Sequence, residues 1–426
     1  GTLCGAAVPC TLGGPAGRRT THRYEGGRER MREVQKVIVV GGGIVGLAVA
    51  RALLARGKAV TVCEKEDHWA AHQSGHNSNV AHAGLYYAPG SYKARMAVAG
   101  CRSIVEYARS HGVAAKVCGK LVVATSAEEL PRLRALAERA KANGVPARLI
   151  SAAEAREYEP HVSCLEALRV ESTAVVDFPG VCAAMARELS EAGAELRLST
   201  PVLAIRRRPG GVAVETPDET LYADLIVNCA GLHADRIAHL AGVRPPARIM
   251  PFRGEYYELR PHARHLVRGL IYPVPDPALP FLGVHLTRML DGSVHAGPNA
   301  VIALHREGYG WRKVSLPHAA QMAGYSGLWR LARRYPRTAV TEVVRSLSPR
   351  RFARDLQRMI PALTTADIQR HGAGVRAQAV RPDGSLVDDF LIVRAERGVH
   401  VLNAPSPAAT SSLEIAEHIA RDVDRS

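Results

Sequence analysis

The chain has 426 residues, a formal charge of +16 and an apolar fraction of 47%. That length suits two or three domains, and that composition suits a globular protein rather than a disordered or fibrous one. The positive charge is mostly arginine spread along the chain. It would favour an anionic membrane surface or help to draw in anionic substrates. No nucleic-acid-binding motif accompanies it, so no nucleic-acid partner is expected. None of the eight cysteines forms a Cys-x-x-Cys pair, which argues against a zinc ribbon or thioredoxin-type site.

Residues 1–33 are read as lying outside the fold. Residues 1–24 contain Arg18, Arg19 and Arg23 but no acid, a composition that resembles an organellar transit peptide. The competing reading, which is preferred, makes this stretch a non-native extension ahead of a natural start at Met31. A cytoplasmic protein, or one peripheral on the inner face of a bacterial cytoplasmic membrane, follows from that preference; a transit peptide would imply mitochondria.

The first element expected is a strand ending in Val37-Ile38-Val39-Val40, which runs into Gly41-Gly42-Gly43-Ile44-Val45-Gly46 and a helical pattern. Residues 37–55 are apolar enough to suggest a membrane span, but four glycines and Arg51 argue against one. A strand feeding Gly-x-Gly-x-x-Gly and a helix places a dinucleotide pyrophosphate at the helix N-terminus. Gly41 would allow the tight turn, Gly43 the approach of backbone to phosphate, and Gly46 close packing of helix on strand. The next strand, Ala59 to Cys63, ends at Glu64, where an acid accepts ribose hydroxyls. Cys63, and Cys229 further on, read as small core residues in a reducing compartment.

Residues 66–92 are rich in His, Ser, Gly, Asn and Tyr and read as a long functional loop. His72 and His76 have a zinc spacing if helical, but the loop composition argues against a metal, and none is expected. A helix from Lys93 to His111 follows, then a strand from Lys120 to Ala124. The next helix carries a capping box, Ser126 with Glu129, and ends at Asn143-Gly144. Phe178 to Ala192 reads as an amphipathic helix and Glu195 to Leu198 as a strand. A hairpin turns about Pro209-Gly210-Gly211. The strand Leu225 to Cys229 meets a second glycine turn at Ala230-Gly231. Residues 245–300 read as a proline-rich antiparallel sheet and residues 316–362 as largely helical. The strand Val399 to Leu402 leads to Asn403-Ala404-Pro405-Ser406-Pro407, with Ser406 as N-cap and Pro407 as first residue of the last helix. Ile415, Ile419 and Val423 would form its buried face.

Several segments together carry a resemblance: HQSGHNSNVAHAGLYYAPGS (72–91), PFRGEYY (251–257), IYPVPDP (271–277), FLGVHLT (281–287), GPNAV (297–301), REGY (306–309), GVRAQAV (374–380) and NAPSPAATSSL (403–413). The chain resembles the L-2-hydroxyglutarate dehydrogenase/oxidase family, FAD enzymes of the D-amino-acid-oxidase-like superfamily, over nearly its whole length. One departure is Asn79, where the family pattern leads one to expect glycine.

The resemblance implies an α/β fold, with a Rossmann-like FAD-binding domain assembled from discontinuous segments (34–112, 165–245 and 366–426). An inserted α+β antiparallel-sheet substrate domain would comprise 113–164 and 246–365. The implied reaction is oxidation of (S)-2-hydroxyglutarate to 2-oxoglutarate, with hydride passing from C2 to flavin N5 and electrons leaving to a quinone or oxygen. Another 2-hydroxy-acid or amino-acid oxidase of the superfamily is the alternative. A dicarboxylate substrate needs cationic clamps, for which Arg253 and Arg376 are candidates. The hydroxyl proton needs a base, His82 or His285, with His285 slightly preferred. Tyr272 joins His285 in the expected ceiling of the pocket. The residues expected to contact FAD are Gly41, Gly43, Ile44, Gly46, Glu64 and Lys65; Gln73, Ser74, Asn77 and Ser78; Val202, Ala230 and Gly231; Gly374 and Val375; and Asn403, Ala408 and Thr410. Peripheral membrane association is compatible with the charge.

Overall fold

The computed structural model describes residues 34–276 and 283–425. The reading of residues 1–33 therefore lies outside the described residues. The chain begins with β1 (Lys36–Val40), α1 (Ile44–Leu54) and β2 (Ala59–Cys63). The long loop follows, then α2 (Tyr92–Ser110), β3 (Lys120–Ala124), α3 (Leu130–Ala142), β4 (Ala147–Ser151) and β5 (Glu166–Val170). Next come α4 (Phe178–Glu191), β6 (Glu195–Arg197), the hairpin at 204–215 and β7 (Leu225–Asn228). The central part holds β8 (Arg248–Leu259), β9 (Leu270–Pro273), β10 (His285–Arg288), β11 (Val294–Gly297) and β12 (Val301–Ile302). Four helices follow: α5 (Leu316–Ala323), α6 (Ser326–Arg334), α7 (Pro336–Leu347) and α8 (Pro349–Gln357). The chain ends with β13 (Ile368–Val380), β14 (Leu391–Ala395), β15 (Gly398–Asn403) and α9 (Ser412–Val423).

Two sheets organise these elements. The first has the order β14-β15-β7-β1-β2-β6 and is parallel except at β14. Its central strands are apolar on both faces, as a sheet covered by helices on both sides requires. Leu47 and Leu53 of α1, Phe178 and Met185 of α4, and Ile415 and Ile419 of α9 share one core with Val37 and Val39. Asp177 caps α4 by accepting from the Gly180 N–H at 3.0 Å, and Ser91 caps α2 by accepting from the Ala94 N–H at 3.1 Å.

The second sheet has nine strands in the order β12-β8-β11-β10-β9-β3-β5-β4, with β13 also paired along β8. It is not wholly antiparallel, because β9 runs parallel to β3. Residues 166–170 and 368–380, placed in the FAD-binding segments from sequence, pair into this sheet.

Two local expectations are corrected. Glu129 does not close a capping box with Ser126: its Oε2 accepts from the Thr125 N–H at 2.7 Å, and the first turn is a tighter one over Ala127–Glu129. The last helix starts at Ser412, not Pro407. The Ser406–Pro407 bond is cis, and residues 404–411 form turns instead. Its buried face, Ile415, Ile419 and Val423, is as expected.

Asn79 has φ +54°, a left-handed conformation that explains how it stands where glycine is expected. Asn79→Gly should leave stability within about 1 kcal/mol of the parent. Asn79→Val should lose about 1–2 kcal/mol, and urea unfolding of the two variants side by side checks this.

Candidate active site

The glycine turn between β1 and α1 is fixed by what a side chain there would strike. A Cβ at Gly46 would lie 1.9 Å from the Gly41 carbonyl oxygen, and one at Gly41, at φ +108°, would lie 2.6 Å from that of Cys229. The turn is thus wedged between its own helix and the end of β7. The Gly42 N–H donates to Glu64 Oε2 at 2.6 Å, and the Ile44 N–H donates to Ser74 Oγ at 2.9 Å. Glu64 Oε1 also accepts from the Glu66 N–H at 2.9 Å. Both side chains therefore brace the turn while bordering the cavity in front of it.

That cavity measures about 990 Å³. It is lined by Gly41, Gly43, Ile44, Glu64, Lys65 and Val202, and also by His82, Tyr86, Tyr256 and Arg376. Gln73, Ser74, Asn77, Ser78, Ala230, Gly231, Gly374, Val375, Ala408 and Thr410 also border it. The long loop is locked in place by its own bonds. Asn77 Nδ2 donates to the Gln73 and Ser74 carbonyls, and Asn77 Oδ1 accepts from the Asn79 N–H at 2.7 Å. Gln73 Oε1 accepts from the Ala377 N–H at 2.6 Å, tying the loop to β13. A Cβ at Gly374 would lie 2.3 Å from the His76 carbonyl, so only glycine lets the strand cross the loop there. The glycine cradle, the backbone-lined middle and an elongated cavity fit a dinucleotide such as FAD.

Five expected site residues do not border the cavity. Gly46 acts by packing. Asn403 spends its amide on structure, with Oδ1 accepting from the Ala379 N–H and Nδ2 donating to the Val387 and Asp389 carbonyls. Arg253 projects from the face of β8 opposite Gly254 and Tyr256, which do border the cavity. It is buried, lies 4.3 Å from the Trp311 ring and pairs with Glu255 at 3.3 Å. Strand alternation, invisible until the register is known, turns it away. Tyr272 and His285 stack at 4.0 Å on the paired strands β9 and β10, one layer behind the cavity wall.

The surroundings of His82 are buried and electropositive. Burial, with Lys120, His285 and Arg376 adding repulsion, pushes His82 down to about 3. His285 is likewise pushed down to about 3, mainly by burial. Its Nδ1–H donates to the Gly283 carbonyl at 3.0 Å, leaving Nε2 as the lone-pair nitrogen. Both imidazoles are therefore neutral near pH 7.

Sequence reasoning missed Lys120, Tyr86 and Tyr256. Lys120 is fully buried, with Nζ 4.4 Å from the Tyr86 ring and 4.8 Å from the Tyr272 ring. Nζ has no hydrogen-bond partner among the described residues. Burial pushes its pKa down to about 7. The available signal was a lysine opening an otherwise apolar buried strand, a position such a residue rarely takes without a partner. His72 and His76 do not converge on a metal: His76 Nδ1 faces the His72 carbonyl at 3.0 Å. His72 instead joins Glu66 and Glu307, where the Lys65 ammonium already supplies positive charge.

Two predictions follow from this geometry. Gly46→Ala should yield protein without flavin absorbance, because α1 cannot hold its place against the Gly41 carbonyl. Lys120→Met should raise stability at pH 7 while weakening anion binding. With the folded pKa near 7 and the unfolded one at the ordinary lysine value of 10.5, the unfolded chain holds more protons between those two values. The penalty from Lys120 is full below 7 and is relieved as pH rises toward 10.5. The stability gap between variant and parent, read by urea unfolding, should narrow over that window.

Comparison with known proteins agrees with this construction. Residues 36–421 match the family described as FAD dependent oxidoreductase. The chain is 44% identical over 392 residues to an L-2-hydroxyglutarate dehydrogenase of Escherichia coli strain K12, covering 91% of this chain and 92% of the relative. It is 41% identical to the mitochondrial L-2-hydroxyglutarate dehydrogenase of Bos taurus, covering 100% and 97%. The fold is shared with the L-alpha-glycerophosphate oxidase of Mycoplasma pneumoniae, at a TM-score of 0.75 and 23% identity over 92% of this chain and 95% of that one. The chain belongs to the FAD-dependent oxidoreductase family and, within it, to the L-2-hydroxyglutarate dehydrogenases.

Proposed function

We propose that the protein oxidises L-2-hydroxyglutarate to 2-oxoglutarate with FAD. The observation that carries this reading is the single cavity lined both by the glycine cradle and by the buried Arg376 and His82, in a chain 41–44% identical to dehydrogenases of that name. FAD, when bound, supplies the hydride acceptor.

The protein supplies position and charge. Arg376 borders the cavity and offers a planar, bidentate partner for a substrate carboxylate. Lys120, caged behind Tyr86, adds positive potential where the dianion sits. His82 takes the hydroxyl proton. Two features favour it over His285: it borders the cavity, and its Nδ1 is without a hydrogen-bond partner among the described residues. His285 lies outside the cavity lining, stacked on Tyr272. Lys93, Arg132 and Arg139 border the same cavity and would guide an anion inward. The electrons leave to oxygen or a quinone.

The test is anaerobic mixing with substrate while the flavin spectrum is recorded. L-2-Hydroxyglutarate should bleach the flavin, and D-2-hydroxyglutarate and L-amino acids should not. Bleaching by an amino acid or another 2-hydroxy acid instead would reassign the substrate within the superfamily. His82→Asn should slow bleaching by about 10²–10⁴-fold while 2-oxoglutarate still binds. Arg376→Met should weaken 2-oxoglutarate binding by roughly 10- to 100-fold. Because His82 is neutral down to about 3 in the free protein, the bleaching rate at low substrate concentration should not rise with pH through 6.5. A step there would place the base elsewhere.

A further inference from the structure

The segment between β12 and α5 contains Arg306-Glu307-Gly308-Tyr309, a stretch that the oxidation chemistry does not use. None of these four residues borders the cavity. Their polar groups nevertheless grip residues that do.

A buried ion pair moors the segment. Arg306 and Asp235 are only 7% and 4% exposed. Arg306 Nη2 donates to Asp235 Oδ2 at 2.9 Å, and Nη1 donates to Asp235 Oδ1 and to the Leu232 carbonyl. Asp235 Oδ2 also accepts from the Ile249 N–H at 3.1 Å. Separating such a pair would strand a buried charge, so residue 306 is held where it is.

Glu307, next along, meets three residues from three separate stretches. Its Oε1 accepts from Lys65 Nζ at 2.7 Å and from His233 Nε2 at 2.9 Å, and lies 3.7 Å from His72 Nε2. Burial holds His233 below its ordinary pKa, so a neutral imidazole makes this bond. The hydrogen bonds from His233 and Lys65 hold the Glu307 carboxyl well below the usual carboxylate range. Tyr309 completes the grip, with its hydroxyl 3.0 Å from His72 Nδ1 and its ring 4.5 Å from that of His76.

Lys65, His72 and His233 all border the cavity. Lys65 follows Glu64, His72 stands in the long loop just before Ser74, and His233 follows the glycine turn at Gly231. Glu64 and Ser74 are the two side chains that brace the start of α1. One carboxylate outside the cavity therefore ties together three stretches of its wall, through bonds that its charge strengthens.

We propose that Glu307 is a positioning residue for FAD. It acts through Lys65, His72 and His233 to hold these three stretches closed around the cofactor. The inference rests on FAD as the cofactor and not on the substrate, because its test involves no turnover.

The experiment dilutes the flavin-loaded full chain and follows FAD release by the gain in flavin fluorescence. Glu307→Gln keeps the size of the side chain and removes its charge, and should release FAD about ten- to hundredfold faster than the parent. Lys65→Met should also release it faster. Because Glu307 acts through Lys65, the double variant should fall short of the product of the two single effects by about threefold or more. Tyr309→Phe keeps the ring beside His76 and should release FAD about two- to tenfold faster. It is the variant to read if Glu307→Gln does not accumulate with flavin. Release at the parent's rate in Glu307→Gln, or in Tyr309→Phe where the former carries no flavin, would overturn the proposal. So would single effects that multiply in full in the double variant, which would make Glu307 a general prop for the fold.

Discussion

No side chain can stand at position 46, because its first carbon would meet the Gly41 carbonyl oxygen at 1.9 Å. That steric limit sets the distance between α1 and β1, and the rest of the site is referred to it. The start of α1 can then be held by two side chains from elsewhere, Glu64 at the end of β2 and Ser74 in the long loop. Since Ser74 is anchored, Gln73 beside it can reach β13 and bring Arg376 to the cavity. A contact between two glycines thus propagates, through three hydrogen bonds, to the residue proposed to hold the substrate.

Much of this was legible in the sequence because it depends on local grammar. The β-branched run before Gly41, the acid after β2 and the Asn143-Gly144 stop after α3 each follow from spacing and turn chemistry. What was not legible depends on pairing. Arg253 and Arg376 look alike in sequence, each within two residues of a glycine in a strand-like segment. Only the antiparallel register of β8 and β13, which sets Arg376 opposite Phe252 and Arg253 opposite Val375, sends one to the cavity and the other to Trp311. Lys120 was missed for a related reason. Its strand reads as plain core, and the two tyrosines that cage it come from distant parts of the chain. The late start of α9 was hidden by a plausible Ser-Pro cap, where residues 406–411 form turns instead.

The electrostatics around His82 are coherent in one respect. Burial and neighbouring cations work in the same direction on His82 and His285, keeping both neutral. Burial opposes the charge on Lys120, which has aromatic faces rather than an acid beside it. Surroundings of this kind are costly when empty of anions and are relieved when a carboxylate arrives. The same groups thereby favour a dianion over a neutral compound and leave a lone pair ready on an imidazole.

The first sheet draws its strands from both ends of the chain: β1 pairs with β7, and β7 with β15, only about two dozen residues before the C-terminus. Helix α9, the last element, packs on α1, one of the first. During synthesis the glycine turn therefore has no finished wall behind it until β15, more than 350 residues further along, has been made. Long-range closure of this kind is slow and leaves apolar strand edges open meanwhile. Removing residues 398–423 would take β15 out of the first sheet and α9 off α1, although β1 and β2 precede them by more than three hundred residues.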